Sequence, residues 1–408
     1  MPHPKQHTAD QTWVRKMNRS LILAIFRTQK TLSRARIAKM TGLNPSTVSS
    51  IIGELIEENL IRETNLIQNG TGRPGRLLEL NPSGGCALAI EINVDYIDIL
   101  VADFSADILW RRKQSSTPEV GQEDIMKEVK KLANEAIAFI QERGCHVLGV
   151  GVGVPGLVDV SSGLLRIAPN LHWVDVPVKD VLADMFDCPI YVENEANVAA
   201  LGEYYFGATQ NVKDFIYLSA GIGLGSGIVM GGKLFRGMFG YAGEAGHMTL
   251  DVNGEQCGCG KRGCWETFVG PRAIAQRVQR SLANGAESIL NGKSDGSSKV
   301  ISMDDVINAA RAGDQIAVDA LNEAAFYLGV GIANLVNLFD VEVIVLGGSL
   351  NKASDLILDQ VEKVTLQNTL SPGRERLKII PSAHGADACI MGAIALVLDD
   401  LLRDPTFA

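Results

Sequence analysis

No hydrophobic run in this 408-residue chain reads as a membrane span. The longest apolar stretch, Ile216 to Met230, is broken by glycines and stops short of the roughly 20 residues that a bilayer core requires. An export signal is also missing, because Met1 to Thr12 is polar, with no apolar centre and no small-residue cleavage site. Both absences predict a cytoplasmic protein without membrane insertion. Low-complexity sequence is confined to a short Gly/Ser-rich loop at Ser294 to Ser298. With 46% hydrophobic residues the chain can bury two or three cores, as expected of a multi-domain globular protein.

Overall positive charge is lacking too: the formal net charge is -9, which taken alone argues against nucleic acid as a partner. Its distribution reverses that reading. Met1 to Leu80 carries 12 Lys+Arg against 6 Asp+Glu, a charge of +6, leaving -15 on the remainder. A basic head on an acidic body suits a protein of which only the head meets phosphate.

The head reads as three helices and a hairpin. Leu21, Ile22 and Ile25 recur at helical spacing within Met17 to Arg27. Ser33 caps a second helix running to Met40, and Thr41-Gly42-Leu43 turns the chain. Asn44 caps a third helix with Pro45 at its first position, and Val48, Ile51, Ile52, Leu55 and Ile56 form its apolar stripe. This is helix-turn-helix order. Leu60-Ile61-Arg62 and Arg76-Leu77-Leu78 then form two short strands around a loop, Gln68 to Gly75, the candidate wing.

Candidate DNA contacts are Asn44, Ser46, Thr47 and Ser49 in the first turns of the third helix, Arg34 and Arg36 before it, and Arg73 and Arg76 in the wing. Gly72-Arg73-Pro74-Gly75-Arg76 is suited to an A·T-rich minor groove, where a narrow width concentrates negative potential on a guanidinium. The same residues also suit a plain surface turn. Arg15, Arg19 and Lys39 are expected to add backbone contacts, and the expected operator is palindromic.

Beyond Asn81-Pro82 the pattern changes. Strands are expected at Ala87 to Ile92, Ile97 to Ala102 and Ile108 to Arg112, then a helix from Gln122 to Arg143 and a strand at Val147 to Val154. A comparable series starts again at Phe215 to Ser219, Gly227 to Met230 and Lys233 to Phe235. It continues with helices at Pro271 to Asn284, Met303 to Ala312 and Asp314 to Leu338 and a strand at Val341 to Leu346. Two such series predict an α/β two-lobed ribonuclease-H-like body of the actin-like ATPase and sugar-kinase kind, with ligand in the interlobe cleft. The expected units are the mainly α winged helix-turn-helix at 1–81, a first lobe at 82–200 completed by a C-terminal helix at 385–403, and a second lobe at 201–384 with a zinc-binding loop.

Cys257, Cys259 and Cys264 cluster, and His247 precedes them. Three thiolates and one imidazole satisfy a tetrahedral Zn2+ with no open position, a structural site; buried or redox thiols are the alternative. Glu244-Ala245-Gly246-His247 and Cys257-Gly258-Cys259-Gly260-Lys261-Arg262-Gly263-Cys264-Trp265-Glu266 resemble the signature of the ROK family of sugar-dependent repressors and sugar kinases. The resemblance covers nearly the whole chain from Cys86 onward, and the head matches the repressor branch, typified by xylose and N-acetylglucosamine repressors. It implies that Glu244, His247 and Glu266 contact sugar hydroxyls. It also implies sugar contacts for Asn194 and Glu195 in Glu193-Asn194-Glu195-Ala196-Asn197, where kinases place an Asn-Asp pair, and for Asn170 and Gly156. Read without the family, glutamates at a helix start simply complement its dipole.

The family's kinases carry an Asp-x-Gly-Gly-Thr phosphate hairpin after the first strand. Here Glu91-Ile92-Asn93-Val94-Asp95 lacks both glycines and sets a carboxylate in place of the threonine. Gly221-Ile222-Gly223-Leu224-Gly225 and Leu346-Gly347-Gly348 survive. The resemblance therefore implies a sugar-responsive repressor, working as a homodimer or homotetramer, without enzymatic activity. A sugar kinase with an added DNA-binding head, or a repressor controlled by a sugar-transport protein partner, are the alternatives.

Overall fold

A computed structural model of the chain describes residues 11–26, 29–67, 75–117, 119–210, 212–291, 301–370 and 374–403. In the head, helices Gln11–Phe26, Arg34–Thr41 and Pro45–Glu57 pack on a small antiparallel sheet in which Gly75–Leu80 lies between Leu32–Ser33 and Ile61–Ile67. Local chemistry sets the boundaries. Ser33 Oγ accepts from Arg36 N, Gly42 closes the second helix at φ 70°, and Asn44 Oδ1 accepts from Ser46 N ahead of Pro45. Ile22, Leu23, Phe26, Ile37, Val48, Ile51, Ile52 and Leu55 form the core. Leu21, one of the apolar residues at helical spacing, is 43% exposed, because the buried stripe of the first helix runs through Ile22, Leu23 and Phe26. Most of the candidate wing, Arg73 included, lies outside the described residues.

The body repeats one plan twice. In the first sheet the spatial order is Ile190–Asn194, Val147–Val154, Cys86–Ile92, Tyr96–Asp103, Ile108–Ser115; in the second it is Lys233–Leu234, Leu224–Met230, Phe215–Ala220, Val343–Gly347, Lys378–Pro381. Each is a three-strand antiparallel meander followed by two strands parallel to its first, the ribonuclease-H-like order. Every residue of Cys86–Ile92 is buried, as a central strand covered on both faces must be.

Several elements escape the sequence pattern. Leu157–Asp159, Leu164–Ala168 and Trp173–Val176 form a separate three-stranded sheet, too short to show an alternation and with Ile167 and Val174 exposed. The helix Gln315–Phe339 is long and apolar enough to cross a membrane by length and composition, yet more than half of its most apolar window is buried within the body. Its Gly331 admits Trp265 so closely that a Cβ there would fall 2.0 Å from Trp265 Cε2, and Trp265 Nε1 donates to Tyr327 O at 2.9 Å. Cys86 and Cys145 are joined by a disulfide.

Head and body share a core. The apolar cluster of the head continues into Ala87, Leu100 and Phe104 of the first sheet and Ile390 and Ile394 of the C-terminal helix Ala388–Arg403. That helix touches Gln11–Phe26 and packs along Glu195–Phe206. The linker is fixed as well, since Asn81 Nδ2 donates to Asn59 O at 2.9 Å.

Candidate functional site

The third helix of the head presents Ser46, Ser49 and Ser50 to solvent, with Thr47 half-buried and Arg36 and Lys39 exposed nearby. Asn44 and Ser46 also serve the helix start, the Ser46 hydroxyl donating to Asn44 Oδ1 at 3.0 Å. Several arginines expected at phosphates are paired within the head. Arg19, 7% exposed, forms an ion pair with Glu58, so its role is in holding the first helix to the third. Arg15 pairs with Glu54 and bonds Ser50 Oγ at 3.0 Å. Arg34 and Arg76 share Glu63, Arg34 at 2.8 Å, and their hydrogen bonds, Arg76 first, hold the Glu63 carboxyl below the usual carboxylate range. An apolar pattern cannot reveal such pairs, whose partners are 13 to 39 residues apart.

Between the lobes lies a cleft of about 260 Å³. Of the predicted sugar contacts, Asn170 and Glu195 line it, together with the Glu91–Asp95 turn, Tyr96, Gly221-Ile222-Gly223 and Gly348. Gly156, Asn194, Glu244, His247 and Glu266 do not line the cavity and connect to it through neighbours. Asn194 Nδ2 donates to Gly156 O at 2.9 Å, while its Oδ1 caps the helix Glu195–Phe206 by accepting from Ala196 N at 2.9 Å and Asn197 N at 3.2 Å. Gly156, at φ 104°, must be glycine, since a Cβ would fall 2.2 Å from Ile167 O. On the opposite wall, a Cβ at Gly223 would fall 2.4 Å from Glu266 Oε2 and 3.7 Å from Asn170 Nδ2.

Burial first, then the charges of Glu91, Asp95 and Glu244, pushes the Glu195 carboxyl up to about 7. Burial pushes Glu91 up to about 7 as well, against hydrogen bonds from Tyr96 and Asn93. Tyr96 and Glu91 were not among the predicted site residues. The available signal for Glu91 was a lone carboxylate in an otherwise apolar central strand.

His247, Cys257, Cys259 and Cys264 come together, one donor atom from each lying within 4.8 Å of all the others, so the group could hold a metal ion. His247 Nδ1 lies 3.6 Å from Cys257 Sγ, and its Nε2 faces away, 3.9 Å from Glu244 Oε2. The ring therefore joins the thiol cluster to a carboxylate near the cleft. Glu266 Oε1 is 2.7 Å from Cys257 Sγ and 3.5 Å from His247 Nδ1, while Trp265, fully buried, anchors the loop.

A winged helix fused to duplicated ribonuclease-H-like sheets defines a class: a DNA-binding transcription regulator built on the sugar-kinase fold. Residues 87–400 match the ROK family and residues 18–62 match the winged helix-turn-helix DNA-binding family. The chain belongs to the ROK family. The xylose repressor of Caldicellulosiruptor bescii is 34% identical over 407 residues, covering 98% of this chain and 100% of that protein. A ROK family transcriptional regulator described as a homolog of the E. coli MLC protein is similar in structure with TM-score 0.83 and 28% identity, covering 97% of this chain and 98% of that one. A ROK family glucokinase from Streptomyces griseus, in complex with glucose and AMPPNP, gives TM-score 0.67 and 34% identity over 77% of this chain and 100% of its own.

Two outcomes are expected. Glu63→Gln releases Arg34 and Arg76 and should tighten duplex DNA binding by about three- to tenfold with a steeper salt dependence, read by fluorescence anisotropy at several salt concentrations; unchanged affinity and slope would mean that neither arginine reaches phosphate. For Glu195 the folded-state pKa of about 7 lies above the ordinary 4.5. Its stabilising contribution is thus complete below the unfolded value and lost as pH rises through about 7. Glu195→Gln should therefore gain melting temperature relative to the parent between about pH 5 and about pH 8. A constant difference across that window would contradict the assignment.

Proposed function

We propose that the chain is a sugar-responsive transcriptional repressor of carbohydrate-utilisation genes, acting in the cytoplasm as a homodimer or higher oligomer on a palindromic operator. The carrying observation is the cleft itself. Where the fold's kinases cradle polyphosphate, this chain places Glu91 and Asp95 next to Glu195, a wall suited to sugar hydroxyls and opposed to ATP. Sugar held by Asn170 and Glu195 in the cleft, and reached on closure of the lobes by Asn194, Glu244, His247 and Glu266 beside it, is the effector, with Gly156 supporting Asn194. Closure alters the spacing of two winged heads, which must match half-sites about one helical turn or a multiple apart. Coupling of about 1 to 3 kcal/mol changes operator affinity about 5- to 150-fold, enough for induction. The relative named as a xylose repressor makes xylose the first effector to test.

Zinc is the metal proposed for His247, Cys257, Cys259 and Cys264. With zinc–sulfur bonds of about 2.3 Å, tetrahedral ligand atoms stand about 3.8 Å apart. Cys259 Sγ to Cys264 Sγ at 3.7 Å and Cys257 Sγ to His247 Nδ1 at 3.6 Å agree with that spacing. When bound, such an ion is saturated by protein donors and fixes the loop bearing His247 and Glu266. Through Nδ1 ligation, His247 keeps its Nε2–H for the side facing Glu244.

Calorimetric titration of zinc-loaded protein with D-xylose, D-glucose and N-acetylglucosamine, with and without ATP, tests the reading. Binding of one sugar without formation of ADP is expected; sugar-dependent ADP formation would replace the repressor with a kinase. Cys259→Ser should lower zinc from about one ion per chain toward none and weaken sugar binding. Full zinc content in that variant would contradict the ligand set.

A further inference from the structure

Glu91 is the one polar side chain of the central strand Cys86–Ile92 and is 2% exposed. Its Oε1 accepts from Tyr96 Oη at 2.6 Å and from Asn93 Nδ2 at 3.2 Å. Its Oε2 is buried and has no hydrogen-bond partner. The nearby Cys389 thiol, a weak donor, lies against the same carboxylate. Glu91 lines the interlobe cleft together with Asp95 and Glu195. Among the described residues lining it, Lys352 alone is cationic, and it is half-exposed and paired with Asp304 at 2.9 Å. The wall of the cleft thus sets the carboxylates of Glu91, Asp95 and Glu195 against a single cation that is already paired.

An ionised carboxylate only accepts hydrogen bonds, and a buried acceptor met by no more than a weak thiol donor is unfavourable until a ligand supplies a stronger one. A sugar hydroxyl does so. A phosphate ester brings further anionic oxygens to face carboxylates in a poorly screened cleft, which is repulsive. We infer that Glu91 is an effector-binding residue that accepts a hydroxyl hydrogen from an uncharged sugar, and that the Glu91–Asp95–Glu195 wall excludes phosphorylated sugars. This rests on the sugar-effector reading and adds the ligand class and the residue that selects it. Because burial raises both Glu91 and Glu195 to about 7, the wall carries its full negative charge only above that pH, and the exclusion strengthens as pH rises.

The test is calorimetric titration of the zinc-loaded full chain at about pH 8, where both carboxylates are ionised. Its probes are D-xylose and D-glucose, each beside its terminal phosphate ester, xylose 5-phosphate and glucose 6-phosphate. In the unmodified chain the free sugar should bind at least about 100-fold more tightly than its ester. Glu91→Gln should weaken the free sugar about tenfold and narrow the discrimination to about tenfold or less. Glu91→Asp, which keeps the charge, should retain the discrimination; sugar-free DNA binding checks that each variant is folded. An ester that binds the unmodified chain as well as its free sugar overturns the inference without any variant, as does a folded Glu91→Gln chain with both affinities unchanged. If no free sugar and no ester binds, the sugar-effector reading falls and this inference with it.

Discussion

The molecule depends on a backbone-to-backbone contact between the helices Glu195–Phe206 and Ala388–Arg403. A Cβ at Gly202 would fall 2.6 Å from Ala388 O, and one at Gly392 would fall 1.8 Å from Val198 O, so the two helices meet with no side chain between them. The same C-terminal helix lies on the first sheet so tightly that Gly151 of Val147–Val154 faces Ala393 O directly. Close-packed interfaces of this kind shift between discrete arrangements and do not deform smoothly. Glu195, at the cleft, begins one of these helices, and the other helix touches the first helix of the DNA-binding head. A movement of the cleft wall therefore has a continuous packed route to the head.

Burial of charge supplies the second constraint. Glu203 is fully buried at the far end of the Glu195–Phe206 helix and accepts from Ala208 N at 2.8 Å, His384 N at 3.2 Å and the Ser382 hydroxyl. The bonds from Ser382 and His384 tie the helix to the segment that follows the last strand of the second sheet. Glu203 is satisfied, whereas Glu91 is not. The bonds to Glu203 fix structure, whereas the unpartnered oxygen of Glu91 beside the cleft leaves an acceptor for a ligand.

Much of this was legible in the sequence because the signals are local. Ser33, Gly42, Asn44 and Pro45 marked the helix boundaries of the head within a residue or two, and the cysteine cluster identified its own loop. The doubled meander was readable from two series of short apolar strands. What was not readable depends on distant partners. Arg19 looked like a phosphate contact until Glu58, on another helix, claimed it. The short sheet of Leu157–Asp159, Leu164–Ala168 and Trp173–Val176 is stabilised by tertiary pairing, with too few residues to show a period. Glu91 read only as a departure from a phosphate hairpin, since its missing donor is visible only once the cleft is folded.

The central claim is that occupancy of the interlobe cleft sets the affinity of the winged head for its operator. The most direct measurement is the operator dissociation constant of the zinc-loaded protein with and without saturating effector sugar, at fixed salt. The account predicts a change of about 5- to 150-fold, with operator altering sugar affinity by the same factor. Sugar that binds the cleft while leaving operator affinity unchanged would contradict it.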